Sequence, residues 1–173
     1  MTARQSKIQN LKSKIRFAFA VILTALVISA PADAALELST DHRSLSFGSM
    51  QGGEEKTLAQ SGSYHTEVTC LSTNGQTWYL KISLVRPMTA GGEEIPPEYF
   101  AWQVMQSDGN GNVIGSGDFR PFGMMPELAY ISGPGEGNGQ PVRIRFRYML
   151  RVPEAQVQGL YQASVRFTLT EVN

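Results

Sequence analysis

The stretch from Pro141 to Val172 constrains this chain more than any other. Val142, Ile144, Phe146, Tyr148, Leu150 and Val152 alternate with Arg143, Arg145, Arg147, Met149 and Arg151. Further on, Tyr161, Ala163, Val165, Phe167 and Leu169 alternate with Gln162, Ser164, Arg166, Thr168 and Thr170. Successive side chains on a strand point to opposite faces. The pattern therefore predicts two long strands, Val142–Val152 and Leu160–Glu171, each with one buried and one wet face. The segment Pro153–Gly159 between them is too long for a tight hairpin, which leaves the two strands free to lie in different sheets.

The start of the chain reads differently. Arg4, Lys7, Lys12, Lys14 and Arg16 precede an apolar run from Phe17 to Ala30, and Pro31-Ala-Asp-Ala34 offers small residues at both positions of an A-x-A cleavage site. This predicts a signal peptide over 1–34 and a domain over 35–173, secreted to the periplasm, the cell surface or beyond. An uncleaved anchor is the alternative, although the run is short of the roughly 20 residues that span a bilayer. No second apolar run follows, so the mature chain is expected to hold no integral membrane segment.

Charge and cysteine usage narrow the function classes. The full chain carries 15 basic and 15 acidic residues; without the five basic residues and Asp33 of the leader, 10 face 14, a net charge of −4. That balance argues against a nucleic-acid partner. Cys70 is the only cysteine, so there is no internal disulfide and no Cys-rich metal site. The 139 residues that remain suffice for one core and are few for two.

Along the mature chain, Leu36–Leu38 and Leu45–Phe47 read as short strands and Gln51–Glu55 as a loop. Tyr64, Thr66, Val68 and Cys70 share one face of a strand, and Trp78, Leu80, Ile82 and Leu84 share one face of the next. The Asn74-Gly75 pair between them predicts an antiparallel hairpin. Pro87–Pro97 reads as a crossover, Phe100–Val104 and Leu128–Ile131 as strands, and the glycine-rich Ser132–Gln140 as a flexible loop. No mature window of ten or more residues shows a helical stripe. The expectation is all-β: a single immunoglobulin-like antiparallel β-sandwich of about seven to nine strands.

Candidate sites are few. Arg143, Arg145, Arg147 and Arg151 share one strand face about 7 Å apart. They could hold an acidic polymer, or they could pair across strands with Glu or Asp. Arg166, Tyr79 and Tyr99 are further candidates for a ligand or partner face. Asp108-x-Asn110-x-Asn112 looks like the start of a calcium loop, but Val113 and Phe119 stand where such a loop needs Gly and Glu, which favours a hairpin turn. Cys70 reads as a buried small hydrophobe, and His42 and His65 lie in unrelated places, so no nucleophile–base pair is expected. No catalytic, cofactor-binding or metal-binding residue is expected. The last strand lacks proline and shows one charge on its wet face, a poor guard for a sheet edge, and so is a candidate for contact with a protein partner or a second copy.

At Trp78-Tyr-Leu80, and again from Val152-Pro through Gly159-Leu-Tyr161 to Phe167-Thr-Leu169, the chain resembles the WxL domain of bacterial cell walls. Phe167 stands where the second triplet of that family has Trp. Leu45-Ser-Phe-Gly48 resembles the opening of such domains, and the Gly-x-Tyr approach is similar to that of secreted spore-coat-U-like and pilus-type sandwiches. The resemblance implies a non-enzymatic, extracellular structural or adhesive role. A carbohydrate-binding module for an acidic wall or capsule polysaccharide is the alternative.

Overall fold

The computed structural model describes residues 35–59, 64–90, 92–123 and 125–172; the expected signal peptide over 1–34 lies outside the described residues. In chain order the strands are β1 (Leu36–Thr40), β2 (Ser44–Met50), β3 (Glu55–Leu58), β4 (Thr66–Ser72), β5 (Tyr79–Leu84), β6 (Met88–Ala90) and β7 (Glu93–Ile95). A single 3₁₀ turn (Pro97–Tyr99) leads into β8 (Phe100–Ser107), followed by β9 (Asn112–Val113), β10 (Arg120–Pro121), β11 (Glu127–Ile131), β12 (Val142–Arg151) and β13 (Gly159–Thr170). That is thirteen strands among the described residues, against the seven to nine expected. The surplus comes from short strands such as the β6–β7 hairpin inside Pro87–Pro97 and from β3, pieces of two to four residues in which period-two alternation has too few repeats to register.

The strands form two antiparallel sheets. Sheet one runs β1-β4-β12-β8-β10, with β3 also on β12; sheet two runs β7-β6-β13-β5-β11-β9, with β2 also on β13. The two long strands thus lie in different sheets, as the length of their connection allowed. Their inward faces are those expected. Val142, Ile144, Phe146, Tyr148 and Leu150 are buried on β12, as are Tyr161, Ala163 and Val165 on β13, with Phe167 and Leu169 packed at the margin. The rings of Phe146 and Phe167 meet at 5.0 Å, one from each sheet. The result is sandwich-like, with the core between the sheets.

The expected hairpin between the Cys70 and Leu80 strands does not form. β4 belongs to sheet one and β5 to sheet two. Six residues separate them, and Gly75 donates its N–H to the carbonyl of Gly137 rather than closing a two-residue turn. Asn-Gly marks a reversal of the chain; it does not choose which strand lies beyond.

β8 also departs from alternation, being buried at every position from Phe100 to Val104. Phe119 explains part of this. Its ring lies 4.9 Å from the Arg147 guanidinium on the outer face of sheet one, and Arg147 Nε donates to Gln103 Oε1 at 2.6 Å. The segment after β9 therefore lies over the outward side of β8.

Candidate functional site

Ser132–Gln140 is an anchored structure. Glu136 is buried, and its carboxylate gathers donors from two loops. Oε1 accepts from the amides of Asn110 and Gly111 and from the Tyr130 hydroxyl at 2.9 Å; Oε2 accepts from the Gly133 amide at 2.8 Å. Burial is the main reason the Tyr130 hydroxyl pKa is pushed up to about 12. The close approach needs glycine. A Cβ at Gly109 would lie 2.3 Å from Tyr130 Oη and 2.4 Å from Glu136 Oε1, and one at Gly111 would lie 2.2 Å from the carbonyl of Ile131. The loop expected to be flexible is thus pinned to the β8–β9 turn by its one buried acid. Asp108 and Asn110 are turned toward protein groups as well. Asp108 Oδ1 accepts from the amide of Arg143 at 2.6 Å, and the Asn110 side-chain amide donates to the Pro134 carbonyl.

The arginine stripe on β12 is matched by its neighbours. Arg145 reaches Glu67 at 2.8 Å, Arg151 reaches Glu55 at 2.8 Å, and Arg143 lies 3.3 Å from Asp108 and 3.8 Å from Glu67. Arg147 has Gln103. Tyr64 lies beside this row, its ring centroid 5.0 Å from the Arg145 guanidinium. Cross-strand pairing of this kind, at half-exposed side chains, contributes little to stability, about 0–1 kcal/mol a pair. Tyr79 and Tyr99 are half-buried, Tyr99 against the core, while Arg166 is exposed on β13.

His42 and His65, which the sequence places apart, meet with ring centroids 5.1 Å apart, and Tyr148 lies 5.9 Å from His65. The β1–β2 turn brings them together: the Asp41 amide donates to the Glu67 carbonyl, and Asp41 Oδ1 accepts from the Glu67 amide. His42 Nδ1 lies 3.1 Å from Asp41. Burial lowers the His65 pKa below its ordinary 6.5, charge on His42 pushes it the same way, and Asp41 opposes both. A histidine with a lowered folded-state pKa contributes stability that is complete above the unfolded value and is lost as pH falls below it. Urea melts should therefore show stability level above pH 6.5 and declining as the solution is acidified from there, with His65→Gln flattening the decline. A gain in stability across that interval would contradict this account. Cys70 is fully buried, and burial pushes its thiol up to about 12, which leaves it unreactive.

The most distinctive surface lies along β13. Gln162 pairs with Ser46 of β2 and with Thr89 of β6, which must lie on its two opposite flanks. From Val165 to Thr170 the strand is paired with β5 alone. Ser164 accepts from the Val85 amide on the β5 side, so by antiparallel alternation the even-numbered residues bond to β5. The backbone groups of Val165, Phe167 and Leu169 then face the other flank, where no strand is hydrogen-bonded to them among the described residues, although β1 packs close by. A depression of about 310 Å³ opens beside it, lined by Leu38 and Thr40 of β1, Arg43, Val85, and Val165, Arg166 and Phe167 of β13. Leu36 and Leu38 on β1 are each 37% exposed. The expected edge is thus half present. Its second half exists because β1 departs to sheet one before β2 pairs with β13, a non-local event with no local sequence signal.

Among the described residues no three His, Cys, Asp or Glu side chains come together as a metal site, and no helix is long and apolar enough to cross a membrane. Against protein-family models, curated proteins and solved structures, the chain finds no match.

Proposed function

We propose that this chain is a secreted, non-enzymatic structural or adhesive component of a bacterial surface, an immunoglobulin-like sandwich of the WxL-like or spore-coat-U-like kind. It joins a protein partner or a second copy by strand addition along Val165–Thr170. The observation that carries this reading is the flank of β13 to which no strand is hydrogen-bonded among the described residues, where three alternate backbone sites adjoin a depression of mixed apolar and cationic lining. An added strand would satisfy the backbone ladder, and its alternate side chains would enter the space between Leu38 and Phe167.

Light scattering of residues 35–173 tests it. The wild-type mass should rise with concentration. Leu169→Pro removes an amide from the flank side only, where proline is tolerated at an edge; the variant should stay monomeric and still fold. A wild type that remains monomeric throughout, with a mass indistinguishable from that of the variant, would count against this reading.

A further inference from the structure

Ten lysines and arginines lie among the described residues, and six are engaged. Arg120, Arg143, Arg145 and Arg151 pair with carboxylates, Arg147 donates to Gln103, and Lys56 donates to the Phe47 carbonyl. Arg43, Lys81, Arg86 and Arg166 form no ion pair or side-chain hydrogen bond among the described residues.

These four belong to one surface. Lys81 alternates with buried Leu80 and Ile82 and lies opposite Thr168; Arg166 follows buried Val165 and lies opposite Ser83. Both therefore point out of sheet two. Arg43 lines the same depression as Arg166. Arg86 lines a neighbouring one of about 140 Å³ with Ser44, Ser46, Gln162 and Ser164. Lys81 and Arg166 are diagonal neighbours on adjacent strands, roughly 7–8 Å apart, a spacing on the scale of one or two sugar units. Hydroxyl and amide groups fill the gaps between them.

We propose that the outer face of sheet two binds an acidic polysaccharide through Arg43, Lys81, Arg86 and Arg166. Guanidinium groups suit carboxylate or sulfate oxygens in bidentate fashion, and the serines and Gln162 suit sugar hydroxyls. The chemistry fits other polyanions less well. Single-stranded nucleic acid calls for stacking aromatics among the cations, and Tyr79 is the one aromatic this face offers among the described residues. An anionic bilayer calls for a broad apolar face to insert, and this one is mainly Ser, Thr and Gln, with Val85 and Leu160 its well-exposed apolar side chains. Arg43 and Arg166 also border the depression beside the β13 flank, whereas Lys81 on β5 and Arg86 lie outside it.

Affinity electrophoresis of residues 35–173 through polygalacturonate and through heparin at low salt, with dextran as the neutral control, tests the proposal. Both polyanions should retard the protein and dextran should not. The combined Arg43→Gln, Lys81→Gln, Arg86→Gln and Arg166→Gln variant should lose about tenfold in affinity. Arg145→Gln with Arg151→Gln should lose less than about twofold, because those side chains are already occupied. If circular dichroism shows the fourfold variant unfolded, the double variant Arg86→Gln with Arg166→Gln should lose about threefold. Absence of retardation by both polyanions would overturn the proposal. So would an equal loss from the β12 pair, or binding to duplex DNA or phosphatidylglycerol vesicles as tight as to polygalacturonate.

Discussion

Replacing Trp78 with alanine is expected to destabilise the domain by about 3–5 kcal/mol, the range for truncating a buried aromatic side chain. Trp78 is fully buried and lies directly before β5, with its ring centroid 5.3 Å from that of Tyr130. Its backbone exchanges hydrogen bonds with Ser132, its amide donating to the Ser132 hydroxyl and its carbonyl accepting from the Ser132 amide. Its indole N–H donates to the Glu136 carbonyl at 3.3 Å. Truncation would leave a cavity and also release the loop that the ring supports. Urea melts measure the loss directly, and a value under about 1 kcal/mol would mean that the ring contributes no core packing.

Glu136→Ala is expected to cost a similar amount, about 3–5 kcal/mol, for a different reason. The amides of Asn110, Gly111 and Gly133 and the hydroxyl of Tyr130 all donate to this carboxylate. Each donor left without a partner costs about 1–3 kcal/mol, less where water enters the exposed side of the loop. Glu136→Gln should fall between wild type and alanine, because one oxygen survives while the new NH₂ faces other donors. The same variants should move the amide resonances of Asn110 and Gly111, which a cavity elsewhere would leave in place. Glu136→Ala melting as wild type would show that the carboxylate does not hold these loops.

Both predictions turn on a segment that reads locally as an unstructured tract. Ser132–Gln140 is rich in glycine, and glycine alone permits a loop. The cradle needs a distant partner: the Asp108–Asn112 turn must arrive beside it so that backbone amides from both can converge on one acid. Nothing within nine residues of sequence encodes that arrival. The histidines are a parallel case. His42 and His65 are brought into contact because the β1–β2 turn hydrogen-bonds to β4 at Glu67, a pairing between segments 26 positions apart.

What was legible in the chain is what period-two alternation carries, because facing is a local property of extended backbone. The all-β class, the two long strands, their inward residues from Val142 to Leu150 and from Tyr161 to Val165, and the burial of Cys70, Trp78 and Trp102 all follow from it. Cross-strand pairing of the β12 arginines was legible as chemistry, since a row of like charges on a strand calls for opposite charges alongside. Only tertiary structure decided which strands neighbour one another. Alternation states that a strand has an inner face and is silent about its flanks, so the separation of β4 from β5, the half-open flank of β13 and the gathering of Arg43, Lys81, Arg86 and Arg166 on one face depend on hydrogen bonds between segments far apart in the chain.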